Sequence, residues 1–258
     1  MTSKHIMRGI QYLFIALASC LWSLVATADE LLVAVASNFA APMAELVARF
    51  ESQTGHRVEV AYGSSGRLYA QISNGAPFQL FFSADQDKPV RLIEAGLALP
   101  ESRFTYATGA LMLWSADDDL TVADESALML ASVSRIAIAN SRVAPYGAAA
   151  MEVLQNLSLA ASLTSKLVQG ENIAQTYQFV DSGNAQLGFV ARSQVTRNGN
   201  LVKGSGWEIP QQLHAPIRQD AVLLNVARDC DACWQFLEFV QQPAQQRLLT
   251  EMGYRTAD

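Results

Sequence analysis

Four short words in this sequence join hydroxyl, amide or phenol side chains to the small residues that open helices: Ala36-Ser37-Asn38-Phe39, Gly63-Ser64-Ser65-Gly66, Ala144-Pro145-Tyr146-Gly147 and Glu171-Asn172-Ile173. Each follows a short apolar run and precedes an amphipathic one, so each reads as a strand-to-helix junction. The first N–H groups of a helix have no intrahelical partner and sit at the positive end of its dipole, which favours an anion. Ser37 and Ser65 would add hydroxyls, Asn38 a carboxamide and Tyr146 a phenol, whereas Ile173 offers only its backbone N–H. Read singly, each has a plainer role: Ser37 as an ordinary N-cap, Tyr146 as an aromatic cover, Ile173 as core.

The same words give other chemistry less support, a secreted hydrolase using Ser65 or a thiol-redox protein using Cys230 and Cys233 standing as the alternatives from another class. Gly63-Ser64-Ser65-Gly66 lacks the Gly-Lys-Ser/Thr of a nucleotide loop and the Gly-x-Ser-x-Gly of a hydrolase elbow. A nucleophilic Ser64 or Ser65 would need a base, and His56 and His214 lie in segments without motif support. The donors are neutral, with Arg67 the one cation beside a junction and Asp85 and Glu171 the nearest carboxylates. A protonated anion such as phosphate needs an acceptor, so this donor set favours a proton-free tetrahedral oxyanion. Cys230-Asp-Ala-Cys233 reads as a structural disulfide, with a redox-active pair as the alternative. One Cys pair and so few histidines give no zinc site.

The elements that must carry these words alternate. Strands are expected at Leu31–Ala36, Val58–Tyr62, Leu80–Ser83, Ala110–Trp114, Arg135–Ala139, Lys166–Gln169 and Gln186–Val190. Helices between them run to Gly55, over Leu68–Ile72, Val90–Ala95, Tyr146–Gln155 and Ala174–Val180, and two more end the chain. This is an α/β pattern of right-handed crossovers. Long strands at Tyr106–Trp114 and Pro216–Val226 would carry the chain to a second domain and back, as a two-strand hinge.

Residues 1–28 read as a secretory signal peptide: Lys4 and Arg8, an apolar run from Ile10 to Ala26, and Ala26-Thr27-Ala28 as the cleavage site. Leu17-Ala18-Ser19-Cys20 offers a rival, a lipoprotein box with Cys20 acylated. Cleavage after Ala28 leaves 230 residues, enough for two domains, with a net charge of −8. Without a basic cluster, nucleic acid is excluded as a partner. Long-range charge would not draw an anion in either, so local dipoles must hold it.

The full set of words, with Asn74-Gly75-Ala76-Pro77, Phe82-Ser83-Ala84-Asp85-Gln86, Leu187-Gly188-Phe189-Val190-Ala191 and Gly253-Tyr254, resembles the periplasmic molybdate-binding proteins of ABC importers in order and spacing. The resemblance implies an α/β, two-domain class II periplasmic binding protein fold with a ligand cleft between domains: domain I from 29–106 plus 217–258, domain II from 107–216. It implies a monomeric, periplasmic protein that is no enzyme, carries no cofactor and delivers molybdate or tungstate to a membrane permease. Carried over by motif, the oxyanion contacts are Ser37, Asn38, Ser65, Tyr146 and the N–H of Ile173. Where some members place a Tyr after the Leu-Gly-x-Val strand, this chain has Ala191, and Tyr146 is expected to supply the phenol instead. Another tetrahedral oxyanion such as sulfate is the competing ligand.

Overall fold

The computed structural model describes residues 29–255; the leader, its cleavage site and Cys20 lie outside them. The elements in chain order are β1 (Glu30–Ala36), a 3-10 turn at Ser37–Phe39, α1 (Ala40–Thr54), β2 (Arg57–Gly63), α2 (Ser65–Ser73), β3 (Leu80–Phe82), α3 (Asp87–Glu94), β4 (Phe104–Gly109), β5 (Leu111–Ser115) and β6 (Ile136–Ala139). There follow α4 (Pro145–Asn156), α5 (Ala160–Leu163), β7 (Leu167–Gly170), α6 (Ile173–Asp181), β8 (Leu187–Ala191), α7 (Arg192–Val195), β9 (Thr196–Arg197), β10 (Asn200–Leu201), β11 (Ser205–Glu208), β12 (Ile217–Leu223), α8 (Asp231–Gln241) and α9 (Pro243–Glu251).

Two five-stranded sheets organise them, ordered β2-β1-β3-β12-β4 and β11-β5-β8-β6-β7. Both are mixed: β1 runs parallel to β2 and β3, and β6 runs parallel to β7 and β8, while β12, β5 and β11 join antiparallel. Strands with helices on both faces bury both sets of side chains, which explains why the apolar runs are continuous rather than alternating. In β5, Leu111 and Leu113 enter one core with Ile136, Val153 and Phe189, while Met112 and Trp114 enter another with Val180 and Val190. In β1, Val33 and Val35 pack on Met43, Leu46 and Phe50 of α1, and Ala34 meets Leu68 and Ile72 of α2 on the opposite face. The α1 positions 43, 46 and 50 form one stripe at helical spacing, and Gly55, with φ 77°, closes the helix in the left-handed conformation.

The strands expected to bridge the lobes are shorter than the stretches read for them. Tyr106–Trp114 divides at Ala110 into β4 of the first sheet and β5 of the second. The return strand ends at Leu223 instead of Val226, because residues 225–227 form a 3-10 turn that leaves Val226 79% exposed. The second sheet also gains β11, paired with β5, from a polar stretch without strand periodicity. The chain therefore leaves the first sheet after Gly109 and re-enters it at Ile217, and Gly109 and Ile217 are themselves paired. No helix among the described residues is long and apolar enough to cross a membrane.

Candidate oxyanion-binding site

Register brings the first two words together. Ala36 pairs with Gly63, and Val35 with Phe82, so β1 and β2 end level, β3 ends one residue earlier, and Ser37, Ser64 and Ala84 emerge on one edge. In the second lobe, Ala139 pairs with Gly170, which sets the loops before α4 and α6 side by side. Ligands in open α/β sheets collect at such carboxyl ends. The two edges face each other around a small cavity lined by Ala36, Ser37, Asn38, Gly63, Ser64, Ser65, Ala84, Ala144, Pro145, Tyr146 and Ile173. All five expected contact residues are thus gathered at one place, and all five are buried.

Ser37 does not cap its helix. It occupies the first position of the 3-10 turn after Ala36, no side-chain cap bond forms there, and its buried Oγ has no partner. Ser64 is the N-cap residue of α2, yet its Oγ also makes no cap bond and is likewise buried and unpartnered. Burying a hydroxyl without a partner costs about 1–3 kcal/mol, so two on one small cavity mark a place where something accepts from them. The sequence offered Ser64 only as a nucleophile; its unpartnered hydroxyl was missed because adjacent serines in a loop cannot be told apart by type. Ser65 differs from both. Its Oγ accepts from Ala84 N at 2.8 Å, which leaves the hydroxyl proton available to a second acceptor.

On the other side, Pro145 and Tyr146 open α4, and Gly147 is required there: a Cβ on it would lie 2.3 Å from the carbonyl oxygen of Ala139. That close approach draws the start of α4 against the end of β6. Asn172 caps α6 by accepting from Ala174 N and Gln175 N, both at 3.0 Å, so its side chain leaves Ile173 N unclaimed at the first helical position. Gln194 holds the next peptide, donating to Ile173 O at 3.1 Å while accepting from Ala191 N. Ala191 itself does not line the cavity, whereas Tyr146 does.

Asn38 is oriented differently from a simple ligand donor. Its Nδ2 donates to Gln219 Oε1 at 2.8 Å and to Tyr254 Oη at 3.0 Å, so both amide hydrogens point into protein. What Asn38 can give a ligand is its backbone N–H, in the unsatisfied first turn after β1. Tyr146 is fully enclosed, and burial pushes its phenol well above the ordinary value of 10.0, with the neighbouring phenol of Tyr254 adding to the rise. It therefore stays a proton donor across the physiological range.

The cavity lining contains no charged residue. Asp85 is bound by Ser83 Oγ and by Lys88, and Glu171 pairs with Arg67 at the exposed rim, joining α2 to the loop before α6. His56 accepts from Asp29 N and His214 sits against Ala215 O, and neither lines the cavity. Hydroxyls and N–H groups without a base or a cation suit an anion held by aligned dipoles. Cys230 and Cys233 are joined as a disulfide at the start of α8, with Cys233 in the first lobe's core beside Phe236.

Residues 31–255 match the bacterial extracellular solute-binding protein family. The chain belongs to that family. This solute-binding protein is 45% identical over 246 residues to the molybdate-binding protein ModA of Azotobacter vinelandii, covering 95% of this chain and 98% of the relative. It is 45% identical over 234 residues to ModA of Rhodobacter capsulatus, covering 91% of each. The solved periplasmic molybdate-binding protein of A. vinelandii superposes with a TM-score of 0.85 at 39% sequence identity, over 88% of this chain and all of that one.

Proposed function

We propose that this solute-binding protein captures molybdate between its lobes in the periplasm and delivers it to an ABC-type membrane permease. The observation that carries the reading is the pair of buried, unpartnered hydroxyls of Ser37 and Ser64, which share one uncharged cavity with the helix starts at Ser65, Tyr146 and Ile173. Relatives at 45% identity bear the name molybdate-binding protein.

In this reading the ligand accepts from Ser37 Oγ, Ser64 Oγ, Ser65 Oγ, Tyr146 Oη and the N–H groups of Asn38, Ser65, Tyr146 and Ile173. Charge-assisted bonds of this kind contribute about 1.5–3 kcal/mol each, enough for tight binding without a cation. With no carboxylate in the lining, a proton on the ligand finds no strong acceptor. That disfavours hydrogenphosphate and favours molybdate, and tungstate, of the same charge and shape, is expected to bind as well. The lobes divide at the two crossings, after Gly109 and before Ile217, and move about them as a monomer takes and releases its cargo. A bound ion is carried rather than transformed, so no catalytic group is assigned.

Calorimetric titration of the mature protein with molybdate, tungstate, sulfate and phosphate tests this. Molybdate and tungstate are expected to bind at least a hundredfold more tightly than sulfate, with phosphate weaker still. Sulfate binding as tightly as molybdate would overturn the ligand assignment and leave a general oxyanion carrier.

A further inference from the structure

We propose that Gln219, which does not line the cavity, is a positioning residue for the oxyanion: by donating to the oxygen of Tyr146 it leaves the phenol's single proton for the ligand. This rests on the reading that Tyr146 donates to the oxyanion.

Gln219 is fully buried on β12, at the bulge where the pairing with β4 shifts register. Its Oε1 accepts from Asn38 Nδ2 at 2.8 Å and lies 3.0 Å from Tyr106 Oη, whose one proton it shares with Ser83 O at 3.0 Å, and its Nε2 donates to Tyr146 Oη at 3.2 Å. The direction of these bonds follows from their neighbours. Tyr254 Oη donates its one proton to Asn38 O at 2.8 Å, so its oxygen receives Asn38 Nδ2 at 3.0 Å and Ser193 Oγ at 3.1 Å. Asn38 must then present Nδ2 on this side, and the group it meets on Gln219 must be Oε1. That sets Nε2 toward Tyr146, whose oxygen is occupied as an acceptor and whose hydrogen is free. A hydroxyl arranged this way offers an anion a proton and no competing intramolecular acceptor.

The packing supports the contact independently. Gly109, the last residue of β4, faces it so closely that a Cβ there would lie 2.1 Å from Tyr146 Oη and 2.6 Å from Gln219 Nε2. A glycine at the crossing between the lobes is thus what lets a phenol of the second lobe reach an amide of the first. The bond joins α4 to the strand on which the chain re-enters the first sheet, so the phenol is set for the ligand only when the lobes are together.

A double-mutant cycle for molybdate affinity, with thermal melting of each variant in parallel, tests the assignment. Y146F alone reads the underlying site: no loss there means that Tyr146 does not donate to the ligand, and the site reading fails. Given a loss in Y146F, Q219M is expected to weaken binding about tenfold in the native background and less than threefold in the Y146F background. An equal loss in both backgrounds, or none in the native one, overturns the role of Gln219. If Q219M does not fold, Q219L, which likewise removes both the donor and the acceptor, serves in its place: it should weaken binding about tenfold in the native background and less than threefold in the Y146F background, and an equal loss in both would overturn the proposal.

Discussion

The backbone N–H of Gly66 donates to the carbonyl oxygen of Val143 at 2.8 Å, joining the first turn of α2 in one lobe to the loop before α4 in the other at the edge of the cavity. The approach leaves no space for a side chain, since a Cβ on Gly66 would lie 2.9 Å from Val143 Cα. Gly66→Ala should therefore hold the lobes apart while leaving each folded. The expected outcome is at least a tenfold loss of molybdate affinity by calorimetry, with the ligand-free melting temperature within about 2 °C of the parent. Unchanged affinity would show that this bond is not part of the binding geometry.

The three serines of the cavity should separate binding from stability. Ser37 and Ser64 carry unpartnered hydroxyls, so S37A and S64A are expected to leave the ligand-free protein as stable or slightly more so. Each should still cost about 1.5–3 kcal/mol of oxyanion affinity, roughly ten- to a hundredfold. S65A differs, because Ala84 N loses its acceptor, and a drop of about 1–3 kcal/mol in ligand-free stability should accompany its loss of affinity. Equal stability losses in all three would contradict the assignment of free hydroxyls.

Binding and stability should respond to alkali rather than to neutral pH. Burial raises the phenols of Tyr106 and Tyr146 well above the ordinary 10.0 and raises Tyr254 too. Raised values in the folded state mean that the unfolded chain loses these protons first. The stability they contribute is complete below pH 10 and is lost as pH rises through the folded values. Melting should be insensitive to these groups from pH 7 to 9 and fall above 10, and Y146F should lessen that fall. An affinity loss centred below pH 9 that Y146F abolishes would show a phenol titrating where burial forbids it.

The Cys230–Cys233 disulfide lies at the start of α8, and neither cysteine lines the cavity. Its closed loop is short, so the entropy model gives a stabilisation of about 2 kcal/mol. Reduction, or the C230S/C233S pair, should lower the melting temperature by several degrees while molybdate affinity stays within twofold. A larger change in affinity would tie this helix to the site.

The exposed Arg67–Glu171 pair bridges the rim, and surface pairs contribute at most about 1 kcal/mol. E171Q should speed molybdate release no more than fivefold in stopped-flow measurements at low salt, and less at high salt. A hundredfold effect would make this pair, rather than the cavity donors, the main closure element.

The sequence by itself determined the α/β alternation, the four junction words and the residue types at the cavity, because strand and helix periodicity and helix-start chemistry are local. Runs such as Leu31–Ala36 bury both faces and can be read without a partner strand. The same locality explains the misreadings. Pro216–Val226 reads as one long strand, but only pairing with β3 and β4 sets its extent, and Val226 turns outward once that pairing ends. β11 is a strand solely because β5 offers it a free edge.

Which atom of each junction residue faces the cavity was decided by tertiary structure alone. Asn38 and Ser37 are neighbours in sequence, yet one amide is drawn into protein by Gln219 and Tyr254, 181 and 216 residues away, while the adjacent hydroxyl is left free. Ser64 and Ser65 divide in the same way, because only Ser65 finds Ala84 N within reach. A hydrogen bond takes its direction from the partner as much as from the donor, and these partners, all of the first lobe, are assembled only when β3, β12 and the Tyr254 segment pack around the end of β1.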